Sequence, residues 1–136
     1  MDFELARFKA IKYIGISKKS EYEVIMKLKG LNVSEDIVSK VIEYLNELGY
    51  INDLDYVDSY IRQNLRMQKY SIFEIREKLK AKGIKSIFID DRIQSDIPEE
   101  YEKKVVEKIS NVKSKTLDEQ KLRQYLYRRG FNTKEC

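Results

Sequence analysis

The chain has 136 residues, 42% hydrophobic and 37% charged, with 27 Lys and Arg against 23 Asp and Glu. Five glycines and one proline exclude collagen-like and turn-rich all-β chains, and the absence of histidine removes Ser-His-Asp triads, His-paired cysteines and His-containing zinc sites. The single cysteine, Cys136, leaves no internal disulfide and no four-Cys metal site, so the chain reads as cytosolic, non-enzymatic and without metal or cofactor.

No apolar run approaches the ~18 residues of a membrane span. The acidic start Met1-Asp2-Phe3-Glu4 lacks the pattern of a signal peptide. Charge is uneven along the chain. Residues 1–52 are net zero, 53–97 net +1 and 98–136 net +3.

In chain order, the apolar spacing and capping signals predict helices at 3–14, 20–29, 34–48, 53–67, 71–82, 86–95, 98–111 and 116–129. Ser20-x-x-Glu23, Ser71-x-x-Glu74 and Thr116-x-x-Glu119 are capping boxes, in which hydroxyl and carboxylate satisfy unpaired N–H groups at a helix start. Ser34, followed by Glu35-Asp36, opens the third helix, and Pro98 with Glu99-Glu100 opens the seventh. All five glycines fall at or just past an expected helix end, so none is left for a phosphate-cradling loop. The segment 84–89 also fits a short strand. Its repeat position favours helix.

The repeat is Ser20-x-x-Glu23-Val24-x-x-Lys27-Leu28-Lys29 against Ser71-x-x-Glu74-Ile75-x-x-Lys78-Leu79-Lys80, a separation of 51. Asn32-Val33 and Gly83-Ile84 follow at matching distances. A fainter third copy begins near Asp118, with Leu122, Leu126 and Gly130-Phe131 in place. This period fits three helices per unit. The expected fold is all-α, a tandem array of three-helix repeats covering 1–51, 52–97 and 98–136. The predicted core is Leu5, Phe8, Ile11, Val24, Leu28, Val33, Ile37, Val41 and Leu45, then Val57, Tyr60, Ile61, Ile75, Leu79, Ile84, Phe88 and Ile89. The third unit reaches Asn132-Thr133, a fair N-cap, with no third helix behind it. The expectation is an incomplete third repeat that leaves Leu122, Leu126 and Phe131 uncovered, and a natural chain that continues for about ten to twenty residues, one typical helix.

The first unit boundary, Leu45-Asn46-Glu47-Leu48-Gly49-Tyr50-Ile51-Asn52-Asp53, leads into Tyr56-Val57 and Tyr60-Ile61. Together with the Ser-x-x-Glu elements and the closing Leu122-x-x-Tyr125-Leu126-x-Arg128-Arg129-Gly130-Phe131, it resembles the RecX regulatory family over residues 5–134. The resemblance implies an elongated, curved array that lodges in the groove of the RecA–DNA filament. It also implies inhibition of RecA's ATPase and strand exchange without a catalytic site, in recombination, DNA repair and the SOS response.

Basic residues crowd 62–85, against only Glu74 and Glu77 in that stretch. Arg62, Arg66 and Lys69 stand at i, i+4 and i+7, a spacing repeated by Lys78, Lys82 and Lys85. The candidate RecA- and DNA-binding face is Arg62, Arg66, Lys69, Arg76, Lys78 and Lys82, joined by Arg123 and Arg128. The competing reading of each is a solvated helix face or a cation at a helix C-terminus. Tyr50, Tyr56 and Tyr60 match apolar repeat positions and read as core rather than as base-stacking platforms. Neighbouring acids such as Asp90-Asp91 and Glu99-Glu100 diverge around a helix and form no metal pair. The expected partners are the RecA filament and, weakly and without sequence preference, single- and double-stranded DNA. The chain is expected to act as a monomer away from any membrane. The alternative is a helix-turn-helix DNA-binding protein acting without RecA, and a third class is an adaptor for acidic peptides.

Overall fold

The computed structural model describes residues 1–132, so Thr133 and Cys136 lie outside the described residues. It is all-α, with eight helices among those residues: α1 (Phe3–Ile16), α2 (Glu21–Gly30), α3 (Glu35–Glu47), α4 (Asp53–Met67), α5 (Ile72–Ala81), α6 (Ser86–Asp96), α7 (Tyr101–Lys113) and α8 (Glu119–Arg128). Helices α1–α3 pack on one another, as do α4–α6, and α7 packs on α8. Residues 84–89 enter α6, and the strand alternative is not realised.

The helix starts follow the sequence signals where a side chain can reach the orphan N–H groups. Ser20 accepts from the Glu23 N–H and Ser71 from the Glu74 N–H, with each glutamate accepting in return from its serine's backbone. Ser34 caps α3 alone. The third predicted box is not formed. Asp118, not Thr116, caps α8 by accepting from the Lys121 N–H at 2.8 Å. Thr116 instead lies in the turn before α8, its hydroxyl donating to the Lys113 carbonyl. Asp118 is the residue the repeat alignment itself selects, so tertiary spacing overrides the local box. Helix α7 begins at Tyr101 rather than Pro98, after a turn in which the Tyr101 N–H donates to the Pro98 carbonyl.

Two apolar cores form. Val24, Leu28, Val33, Val38, Val41, Leu45 and Ile51 close the first unit around Ala6 and Ala10. Leu5 and Phe8, expected inside, are 45% and 62% exposed. Bulky apolar residues lie on every side of α1, with Leu5 and Phe8 falling among the charged residues Glu4, Arg7, Lys9 and Lys12, so apolar bulk alone does not choose its inner face. The two alanines face inward and let α1 lie close to α2 and α3. Tyr50 also points outward while its neighbour Ile51 is buried.

The second and third units share one core, running from Val57, Ile61, Ile75 and Leu79 to Tyr101, Val105, Leu126 and Phe131. Leu126 and Phe131 are therefore covered, by the second unit, contrary to the expectation from an absent third helix. Leu122 is half-buried beside a groove of about 450 Å³ between α7 and α8.

The units join through a repeated contact. Ser20 Oγ donates to the Lys82 carbonyl at 2.7 Å, and Ser71 Oγ to the Arg129 carbonyl at 2.6 Å. The Glu21 N–H donates to Asp53 Oδ1 at 2.9 Å, and the Ile72 N–H to Glu102 Oε1 at 3.0 Å. Glu23 pairs with Lys82 at 3.4 Å, and Glu74 with Arg129 at 2.9 Å. The start of each unit's second helix thus binds the end of the next unit's second helix. That end turns through Gly83 (φ +75°) or Gly130 (φ +86°), where left-handed backbone and close approach to Tyr22 or Phe73 both require glycine.

Candidate protein and nucleic-acid interface

Arg62 and Arg66 lie one turn apart on α4 and are exposed. Arg62 Nη2 donates to Ser59 Oγ at 3.1 Å. Helix α4 ends at Met67 because Gln68 adopts left-handed backbone, φ 52°. Lys69 therefore leaves the helical face that the i, i+4, i+7 spacing implied. Its ammonium sits 5.5 Å from the Tyr70 ring centroid, and Lys78 from α5 sits 4.6 Å from the same ring. The aromatic side chain gathers two cations that the sequence places on separate elements.

Other members of the predicted face are engaged within the molecule. Lys82 is the C-cap of α5 and pairs with Glu23 across the first joint. Lys85 is the N-cap of α6, so Lys78, Lys82 and Lys85 do not share one helix face. Arg76 pairs with Asp90 at 3.1 Å and Arg123 with Glu119 at 3.2 Å. Exposed pairs of this kind contribute little stability, but each lowers the net charge presented to a partner. Arg62, Arg66, Lys69, Lys78 and Arg128 make no ion pair among the described residues.

Sequence spacing did not single out Lys108 and Lys113. Five residues apart on α7, they share no face, yet Lys108 turns to the Met67 carbonyl at 3.1 Å and Lys113 to the Tyr125 ring at 5.0 Å. The only available signal was the net +3 of the last segment.

The tyrosines near the basic stretch are partly enclosed. Burial, reinforced by the charge of Glu23, pushes the Tyr56 hydroxyl up to about 12. Burial likewise raises Tyr60. Both rings pack against the second core rather than standing free for stacking. Among the described residues no group of His, Cys, Asp or Glu could hold a metal ion. None of the described helices is long and apolar enough to cross a membrane.

Stacked three-helix units, with capping serines reading the next unit's helix end, define a helical-repeat protein with an exposed basic surface. The family model for the first three-helix domain of RecX matches residues 6–45. A regulatory protein RecX from Streptococcus agalactiae serotype III is 32% identical over 124 residues, covering 88% of this chain and 48% of that relative. One from Streptococcus mutans is 27% identical over 138 residues, covering 98% and 54%. The crystal structure of RecX from Lactobacillus salivarius matches with a TM-score of 0.79 at 28% identity, covering 96% of this chain and 89% of that one. A second, titled as the crystal structure of regulatory protein RecX, also gives 0.79, at 27% identity, covering 97% and 68%. The chain belongs to the RecX family of regulatory proteins. It spans about half the length of the curated relatives it matches.

Proposed function

We propose that the chain regulates homologous recombination and DNA repair without catalysis of its own, by binding the RecA–DNA filament and inhibiting its ATPase and strand exchange. The observation that carries this reading is the exposed, acid-free set Arg62, Arg66, Lys69 and Lys78, held by α4, α5 and the Tyr70 ring on a RecX-type array. Arg128 extends the set on the third unit. Arg76, Lys82 and Arg123 support the surface through their internal pairs and contact the partner less directly. The monomer acts in the cytoplasm and touches DNA weakly, through phosphates and without sequence preference.

The test is RecA ATPase on single-stranded DNA with the chain titrated in. Suppression at substoichiometric amounts is expected. Arg62→Glu with Arg66→Glu should relieve it while leaving the thermal unfolding transition in place. An unchanged rate at molar excess of the wild-type chain overturns the reading. Sequence-selective duplex binding with no effect on RecA would instead favour a helix-turn-helix protein.

A further inference from the structure

A cleft of about 320 Å³ opens where the turn after α4 meets α7 and α8. Its rim carries Lys69, Lys108, Lys113 and Arg129, and no acidic residue is among the described residues that line it. Arg129 is committed to Glu74 at 2.9 Å and to the Lys69 carbonyl at 2.7 Å. The three lysines have no carboxylate partner among the described residues. Lys108 is held by the Met67 carbonyl, Lys69 by the Tyr70 ring and Lys113 by the Tyr125 ring. Each ammonium has three donors, so these contacts leave donors unused.

The rest of the lining is different in kind. Met67, Ile109 and Val112 contribute aliphatic surface, with Met67 38% and Val112 63% exposed, and Tyr125 closes one side. Aliphatic surface interspersed with lysines fits a ligand that carries an apolar side chain between anionic groups. We propose that this cleft binds a segment of a partner protein in which an aliphatic or aromatic side chain is flanked by carboxylates.

Nucleic acid fits the cleft less well, for three reasons on the molecule itself. The Tyr125 ring is already approached by Lys113 at 5.0 Å and Arg129 at 5.7 Å, so a base would compete with two cations for it. The one guanidinium fork is occupied by Glu74, whereas lysine meets an anion as a point charge. The aliphatic lining has nothing to gain from a sugar-phosphate backbone, but an apolar side chain laid on it would cover it. The inference goes beyond the proposed function and stands whichever protein supplies the segment.

The test uses the whole chain with methyl-selective NMR, a short peptide of alternating aspartate and leucine, a pure polyaspartate peptide, and oligothymidylate. Saturable shifts of the Ile109 and Val112 methyls with the alternating peptide are expected, weakening as salt rises. Lys108→Glu with Lys113→Glu should weaken binding by about tenfold or more. Val112→Asp, at an exposed position, should abolish the remaining Ile109 methyl shifts while leaving the unfolding transition unchanged. Absence of shifts, or shifts located away from the cleft, overturns the proposal. Equal binding of polyaspartate overturns it by reducing the cleft to bulk charge, and displacement of the peptide by oligothymidylate overturns it in favour of nucleic acid. None of these readouts involves RecA, so failure of the proposed function would leave them unaffected.

Discussion

The side-chain hydroxyl of Ser71 holds two positions together at once. It accepts from the Glu74 N–H at 3.0 Å, capping α5, and donates to the Arg129 carbonyl at 2.6 Å, 58 residues away. Ser20 stands in the same relation to Glu23 and to Lys82. One hydroxyl thus starts a helix and closes the joint to the next unit, because Ser and Thr oxygens carry both a donor and acceptor lone pairs.

Ser20→Ala and Ser71→Ala should therefore cost more than an ordinary cap. Loss of the cap costs about 1 kcal/mol, and leaving the part-buried Lys82 or Arg129 carbonyl unpaired adds about 1 kcal/mol. Ser34 caps α3, and its hydroxyl makes no inter-unit bond among the described residues, so Ser34→Ala should cost only the first amount. Urea unfolding of the three variants checks the order; equal losses would mean that the joint bonds contribute nothing.

Gly83 and Gly130 should resist substitution more than Gly49. All three have positive φ, but a Cβ at Gly49 meets open space, whereas at Gly130 it would lie 2.7 Å from Phe73 Cβ and at Gly83 it would collide with Tyr22. Gly49→Ala should cost about 1 kcal/mol from backbone strain alone. The other two should exceed that by about 1–3 kcal/mol through displacement of the joint. Thermal unfolding at matched pH gives the comparison.

Glu74 links the second joint to pH. Burial alone would raise its carboxyl, but the bonds from Arg129 and from the Ser71 backbone outweigh this and hold it below its ordinary 4.5. A carboxyl depressed on folding stabilises the fold above 4.5, and that contribution is lost as pH falls through its lower folded value. The stability difference between wild type and Glu74→Gln should be constant near neutrality and vanish in acid. A difference independent of pH would separate the Arg129 contact from ionisation of Glu74.

At the alkaline end, Tyr101 behaves in the opposite sense. Burial, with the charge of Glu102 added, pushes its hydroxyl up to about 12 from 10.0, and the hydroxyl donates to the Tyr70 carbonyl at 2.6 Å. A raised folded value gives stability that is complete below 10.0 and lost as pH rises toward about 12. Tyr101→Phe should lower neutral stability by about 1 kcal/mol and flatten this alkaline limb, as read by denaturant unfolding across that range.

Helix α8 should be less protected from hydrogen exchange than α5. It buries only Leu126 along its length, whereas α5 buries Ile75 and Leu79. Equal protection of the two helices in the isolated chain would show that the shared core stabilises both alike.

The helical repeat was legible in the chain because its signals are local. A capping serine, a glutamate three residues on and a left-handed turn residue satisfy backbone groups within one or two turns, whatever lies beyond. Asn32, Gly83 and Gly130 occupy matching turns, with φ of 61°, 75° and 86°. What the basic residues do depended on the stacking of units. Lys82 and Arg129 close joints to Glu23 and Glu74, while Lys108 and Lys113 converge on a cleft from different faces of α7. The inward turn of Ala6 and Ala10, rather than Leu5 and Phe8, was likewise decided only in the tertiary structure. The physical reason is range: caps and turns are settled by neighbours in sequence, whereas the partner of a long charged side chain, and the buried side of a helix with bulky apolar residues on every side, depend on which surface packing brings against it.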